Sequence, residues 1–96
     1  ELTGLQLRRE DGSIFEIAVD GAFLAVGLEP RNGLFAGLAK TNAWGYFDSA
    51  EDCLTQTPGL FVAGDCRSKR IRQVVTAAGD GAVAAMAACS YLDQNG

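Results

Sequence analysis

Histidine is absent from this chain of 96 residues, and its three cysteines, Cys53, Cys66 and Cys89, contain no C-x-x-C pair. Without histidine, and with no companion carboxylates at ligand spacing, no metal site is expected. The cysteines are odd in number and widely spaced, which fits neither a zinc site nor a redox pair. They read as three reduced thiols of a cytoplasmic protein, with Cys89 on the core face of a helix. Cys66 is the one to check for reactivity: the neighbouring Asp65 disfavours its thiolate, while nearby arginines act the other way. Long apolar runs are also missing. None approaches the ~20 residues that span a bilayer, and no signal-peptide pattern opens the chain, so no membrane role is expected. Basic charge is scarce, with 8 Lys and Arg against 12 Asp and Glu and a net charge of −4, which gives no polyanion-binding face and no nucleic-acid partner. Half of the basic residues cluster at Arg67, Lys69, Arg70 and Arg72 without interleaved aromatics. Lys69 and Arg70 read as a solvated loop, whereas Arg72 stands at an expected helix start. Asp48, Glu51 and Asp52 read as a solvated face and turn. No paired carboxylates suited to catalysis are present, and no catalytic residue is assigned in this chain.

What the chain does contain divides into two patterns. Leu5 and Leu7 alternate with Gln6 and Arg8, and Phe15, Ile17 and Val19 alternate with Glu16, Ala18 and Asp20. Asp11-Gly12 lies between the two runs, which predicts a hairpin with one solvated face. After Asp20-Gly21 the continuous apolar run Ala22-Phe23-Leu24-Ala25-Val26 predicts a third, more deeply buried strand, and so a three-stranded antiparallel meander. Residues 27–33, with Pro30, Gly27 and Gly33, mark a boundary or hinge. Leu34-Phe35 reads as a short helical turn, and Trp44-Gly45-Tyr46-Phe47 as a strand or hairpin edge in which Trp44 serves packing. The fold class is α/β, or α+β for a segment taken alone. The meander is followed by a strand, a turn and a long helix.

The stretch Thr57-Pro58-Gly59-Leu60-Phe61-Val62-Ala63-Gly64-Asp65 carries the chemistry. Pro58 presets φ and Gly59 is permissive, so the chain reverses before the apolar run Leu60–Ala63. That run fits a strand covered on both faces, although periodicity leaves a buried helical turn open. Gly64 permits close backbone approach by a ligand. Asp65, delivered at the strand's end beside a helix start, is an acceptor suited to sugar-alcohol hydroxyls, or else a turn residue capping local donors.

From Gln73 to Leu92 the period lengthens. Val75, Ala78, Ala82, Ala85, Met86, Cys89 and Leu92 recur at helical spacing and predict one apolar face of an amphipathic helix. Gly79 and Gly81 cost about 1 kcal/mol each against alanine there, which suggests close packing or a bend. The sequence Gly79-Asp80-Gly81-Ala82-Val83-Ala84 matches G-x-G-x-x-A, the dinucleotide fingerprint. It lacks the βαβ unit with an acidic ribose partner about twenty residues on, and is set aside.

Pro58-Gly59-Leu60-Phe61-Val62-Ala63-Gly64-Asp65 and Arg72-Gln73-Val74-Val75-Thr76-Ala77-Ala78-Gly79-Asp80-Gly81 together resemble the C-terminal end of the low-molecular-weight, bacterial-type thioredoxin reductases. The segment Phe23-Leu24-Ala25-Val26-Gly27-Leu28-Glu29-Pro30-Arg31-Asn32 is similar to that family's crossover from the pyridine-nucleotide domain back to the FAD domain. The resemblance implies that residues 1–26 end the former domain, residues 27–33 form the crossover, and residues 34–96 belong to a Rossmann-like FAD-binding domain. It implies FAD as cofactor, with Gly64 and Asp65 on its ribityl side and Arg72, Gln73 and the backbone of Val74 at the isoalloxazine and its pyrimidine edge. Free N–H groups at the helix start would then favour the reduced flavin, whose N1 edge gains negative charge. NADPH, thioredoxin and a homodimer with the helix tail near its interface belong to the implied parent enzyme. No C-x-x-C and no glycine fingerprint for FAD or NADPH occurs here, and in the family these lie N-terminal to this part.

The expected function is therefore that of a segment of an NADPH-dependent thioredoxin-disulfide reductase, inactive alone. A start in mid-pattern without methionine fits an excised segment. Two alternatives stand beside it. One is a flavoenzyme of the same architecture with another acceptor, such as a ferredoxin–NADP reductase or an alkyl hydroperoxide reductase flavoprotein. The other is a non-catalytic module that self-associates through its apolar helix face.

Overall fold

A computed structural model describes all 96 residues, Glu1–Gly96. In chain order it contains strands β1 (Gly4–Arg8) and β2 (Ile14–Ala18), short 3-10 turns at Gly33–Phe35 and Gly64–Cys66, and one long helix, α1 (Val74–Asn95). The alternation in the first third forms the hairpin it predicts: Leu5 lies opposite Ile17 and Leu7 opposite Phe15, so the apolar residues share one face. The turn is held by the Asp11 carboxylate, which accepts from the Ser13 amide (2.8 Å) and hydroxyl (2.6 Å). These bonds keep the Asp11 carboxyl below its ordinary pKa. The Arg9 guanidinium covers the Phe15 ring at 4.0 Å.

The meander has two strands, not three. Residues 22–26 form no regular element, and Phe23 is fully exposed at 101%. A run that is apolar on both faces needs a neighbouring strand and a cover on each side, and this chain supplies neither. The fold is thus mixed helix and sheet, but the sheet is a single hairpin.

The core is built from the segment that follows the hairpin and precedes the helix in the chain. Ala39, Phe47 and Val62 form it, with Leu60 and Cys66 packed against them. Phe47 is pinned on both sides, since its N–H donates to the Cys66 carbonyl (3.0 Å) and its carbonyl accepts from the Ser68 N–H (2.7 Å). The loop Asn42–Tyr46 closes on the Asn42 side chain, whose Oδ1 accepts from the amides of Trp44 (3.0 Å) and Tyr46 (3.1 Å). Trp44 itself is exposed rather than packed. The run Leu60–Ala63 is extended but pairs only through the isolated bridge Leu54↔Phe61 and the Val62 N–H to the Cys53 carbonyl (3.0 Å). It is not a full strand, because its only partner, Cys53–Leu54, pairs with it too briefly to form a ladder. Gly33–Phe35 is the short helical turn the sequence predicts.

Helix α1 starts where the motif predicts, with Gln73 at the N-cap and its N–H donating to Thr76 Oγ1 (3.1 Å). The face it covers is not the predicted one. Thr76, Ala77, Asp80, Ala84, Ala87, Ala88 and Tyr91 turn inward, whereas Val75, Ala78, Ala82, Ala85, Met86, Cys89 and Leu92 are exposed. Alanines populate both sides, so the helix can dock on its smaller side chains and approach the loop closely. Cys89 is therefore on the open face, and Cys53 is the fully buried thiol, its pKa raised chiefly by burial. Gly79 and Gly81 face open space within this chain, so neither makes the close approach expected of it. Tyr91 packs edge-on to Phe61 with ring centroids 6.2 Å apart and lies against Gly59, which locks the helix tail onto the turn. By length and mean hydropathy α1 is long and apolar enough to cross a membrane. Its covered face instead carries an ion-paired carboxylate, Asp80, which is the feature of a helix docked on protein.

Phe47 anchors the small core at 5% exposure. Phe47→Ala is expected to lower stability by about 3 kcal/mol through the lost burial and the cavity left behind. The shift in the urea midpoint at constant slope measures it.

Candidate functional site

The motif is built from its turn outward. Gly59 takes φ +82°, and the Leu60 N–H closes the reversal on the Thr57 carbonyl (3.1 Å). Thr55 Oγ1 donates to the Leu60 carbonyl (2.8 Å), so the apolar run leaves the turn in a fixed direction. At its end Gly64 takes φ +84°, a conformation that favours glycine, and the chain coils into the 3-10 turn Gly64–Cys66. Gly64 is buried, and a Cβ there would sit 3.6 Å from that of Ala77. Its glycine therefore serves the backbone angle and the packing of α1, rather than ligand approach from that side.

Asp65 projects from the apex of this turn and is exposed. Its carboxylate makes no ion pair within the chain, while its carbonyl accepts from Arg72 Nε (3.1 Å). Arg72 also donates from Nη2 to the Arg67 carbonyl (3.1 Å) and lies 3.7 Å from the centroid of the Tyr46 ring. Most of its guanidinium is committed to holding the loop, which the sequence did not indicate. Asp65, Cys66, Arg72 and Tyr46 share a concavity of about 240 Å³ with Pro30 and Arg31 of the hinge. Gln73 and Val74 lie just beyond it, at the N-cap and first residue of α1. The amides of Val74 and Val75 have no intrahelical acceptor by helix geometry, and both residues are exposed. The polar groups are thus one free carboxylate acceptor, two free amide donors at a positive helix end and one glutamine side chain. They match a ligand that presents hydroxyls on one part and carbonyl oxygens on another.

Two features escaped the sequence reading. Asn32 in the hinge is buried, and its Nδ2 donates to the carbonyls of Gly45 (3.0 Å) and Cys66 (2.8 Å). The hinge is thereby stitched to the motif. The second is a charge cluster beneath it. Asp80 Oδ2 accepts from the Gly64 N–H (2.9 Å), Arg67 Nε (2.7 Å) and Lys69 Nζ (2.9 Å), and Oδ1 accepts from Arg67 Nη2 (2.9 Å). Arg67 is 1% exposed and reaches the exposed Glu51 carboxylate at 3.2 Å. Lys69 is consequently a buried partner of Asp80 rather than a solvated loop residue, and only Arg70 of that pair is exposed. Glu51, read as solvated, remains so while pairing. The G-x-G-x-x-A stretch lies wholly inside α1, and its central Asp80 is an ion-pair acceptor rather than part of a phosphate loop. One signal was available: Asp80 is the sole charged residue from Val74 to Leu92.

Residues 2–81 match the family of pyridine nucleotide-disulphide oxidoreductases. The chain belongs to that family. It is 42% identical over 95 residues to a thioredoxin reductase of Listeria monocytogenes, covering 98% of this chain and 30% of that protein. A protein of Clostridium pasteurianum described as a "34.2 kDa protein in rubredoxin operon" is 46% identical over 77 residues, covering 80% of this chain and 25% of its own length. The crystal structure of thioredoxin reductase from Streptococcus pyogenes superimposes with a TM-score of 0.75 at 32% identity, over 96% of this chain and 30% of that one. The chain thus spans less than a third of the relatives it matches, two of which are thioredoxin reductases. Binding of flavin and pyridine nucleotide is the family's property.

The Arg67 guanidinium holds the Asp80 carboxyl well below the usual carboxylate range, despite opposing desolvation, and Lys69 and the Gly64 amide add to this. A depressed folded-state pKa contributes stability that is complete above the unfolded value near 3.9 and is lost as pH falls below it. Stability is therefore expected to drop on acidification from about pH 4 downward, and Asp80→Asn should flatten that slope. Urea midpoints measured from pH 7 to pH 2.5 on both proteins check this.

Proposed function

We propose that this chain is the C-terminal segment of an FAD-dependent NADPH:thioredoxin-disulfide reductase. The single observation that carries the reading is the placement of an unpaired Asp65 carboxylate and the hinge residues in one concavity, next to the free amide end of α1. FAD, when bound, supplies the two-electron relay between nicotinamide and a disulfide. Asp65 accepts hydrogen bonds from hydroxyls of the ribityl side. The backbone N–H of Val74 and the Gln73 side chain donate to the carbonyl edge of the pyrimidine ring, and the α1 dipole stabilises negative charge there. Arg72 holds the loop that presents Asp65 and has its Nη1 left for the ligand. Gly64 shapes the turn from beneath.

In this reading residues 1–26 close the pyridine-nucleotide domain, residues 27–33 cross over, and residues 34–96 return to the FAD domain. The exposed apolar side chains support it, because Phe23, Leu24 and Val26 before the hinge and Val74, Val75 and Met86 on α1 all lack a cover in this chain. Such surfaces are met by the rest of the protein or by a second subunit of a homodimer. The electron acceptor is thioredoxin, as the relatives named thioredoxin reductase support, and the compartment is the cytoplasm.

In the full-length protein, Asp65→Ala is expected to weaken FAD retention about tenfold or more, in line with the loss of charge-assisted hydrogen bonds. The ratio of flavin absorbance to protein after gel filtration reads it, and an unchanged ratio overturns the role of Asp65. The 96-residue chain alone is expected to show no NADPH-dependent disulfide reduction, because no redox cysteine pair is present. Turnover above the enzyme-free rate in a thiol-release assay would contradict this.

A further inference from the structure

Asp80 has a job that its ion pairs alone do not explain. A carboxylate paired only for stability would need Arg67 and Lys69, yet the same Oδ2 also takes the Gly64 N–H at 2.9 Å. Gly64 opens the 3-10 turn whose next residue is Asp65. The far end of the turn is tied to the same carboxylate, since Arg67 closes the turn with its N–H on the Gly64 carbonyl (3.3 Å) and grips Asp80 through Nε and Nη2. One side chain of α1 thus clamps both ends of the turn that carries Asp65. It does so nearly two turns below the helix end that supplies Gln73 and Val74.

We propose that Asp80 is a positioning residue for FAD: it sets the Gly64–Arg67 turn in register with the start of α1, so that Asp65 and the Val74 amide address one flavin together. The inference rests on the assignment of Asp65 and α1 to FAD. Asp80 touches no ligand itself. It acts through the rigid connection between loop and helix, because two halves of a binding site carried on separate elements bind well only when their spacing is fixed before the ligand arrives. Within this chain, α1 and the 64–66 turn are also the one pair of elements outside the hairpin that pack together.

The test uses the full-length protein stripped of flavin and titrated with FAD, with quenching of flavin fluorescence giving Kd. Circular dichroism and the melting temperature of each apoprotein are recorded alongside. Asp80→Asn keeps the shape but places an amide against donors, and is expected to raise the FAD Kd about tenfold or more. Asp80→Glu keeps the charge while moving the acceptor by one methylene. It should raise Kd several-fold in an apoprotein that keeps the wild-type circular dichroism, and it decides the matter if the asparagine variant does not fold. Because Asp80 acts through the turn, Asp65→Ala combined with Asp80→Glu should bind FAD no more weakly than Asp65→Ala alone. Wild-type Kd in a folded Asp80 variant, with Asp65→Ala impaired, overturns this inference and leaves the Asp65 assignment standing. Additive losses in the double variant likewise overturn it, since they make Asp80 independent of the turn. Wild-type Kd in Asp65→Ala removes the underlying assignment and the inference with it.

Discussion

The Asp80 carboxylate is the point at which helix and loop become one object. Eight of the 96 residues are buried, and Asp80, Arg67 and Gly64 are three of them. In most small folds such a junction is made by interdigitating aliphatic side chains, whereas here it is made by a carboxylate, a guanidinium, an ammonium and a backbone amide. The choice has a physical consequence. Apolar contacts tolerate sliding, but a carboxylate that accepts four hydrogen bonds from three residues defines distance and direction together. The charges nearly cancel within the cluster, as Arg67 and Lys69 face Asp80 and Glu51, so burial does not leave an unpaired ion. Removing one partner of such a cluster costs about 3–5 kcal/mol, because the remaining charge stays in a poorly solvated place.

Around that junction the chain is unusually open. Its radius of gyration is 19.9 Å, against roughly 12–13 Å for a compact domain of this length. Its long dimension is 63 Å, and the hairpin makes no packing contact with the helix. Apolar side chains from Phe23 to Leu28 and along the outer face of α1 are exposed. The chain spans less than a third of its relatives' length. The polar cluster needs no cover over that apolar surface to form, since all its partners lie between Glu51 and Asp80.

How much of this the sequence disclosed depends on whether the governing interaction is local. The hairpin was legible because strict alternation and Asp11-Gly12 define both faces and the turn within fifteen residues. The Gly64-Asp65 turn and the start of α1 were legible for the same reason. The third strand was not, because continuous apolar runs name a buried strand without naming the neighbours that bury it, and residues 22–26 have none in this chain. The covered face of α1 was misread since alanines at 77, 78, 82, 84, 85, 87 and 88 place small apolar groups all round the helix. Periodicity then cannot separate the docking face from the open one. The larger residues Val75, Met86 and Leu92 drew the prediction outward, whereas close docking on the loop needs the smaller ones.

Asp80 shows the limit of motif reading most clearly. Within Gly79-Asp80-Gly81 it sits at a variable position of a phosphate-loop pattern, and the pattern directs attention to the flanking glycines. The decisive clue lies in what surrounds the motif: one anion in a helix otherwise uncharged through Leu92, preceded by Arg67 and Lys69 in the loop that enters it. A lone charge in an apolar helix demands a partner, and the nearest basic residues are those in the loop the helix packs on. The same logic separates the two acidic residues of the site. Asp65 is left without a partner on an exposed apex and is free to accept from a ligand, while Asp80 is saturated by the protein and can only hold. Two carboxylates on one loop–helix junction thus differ in what is left to them: Asp65 keeps its acceptors free, and Asp80 has committed its own to Gly64, Arg67 and Lys69.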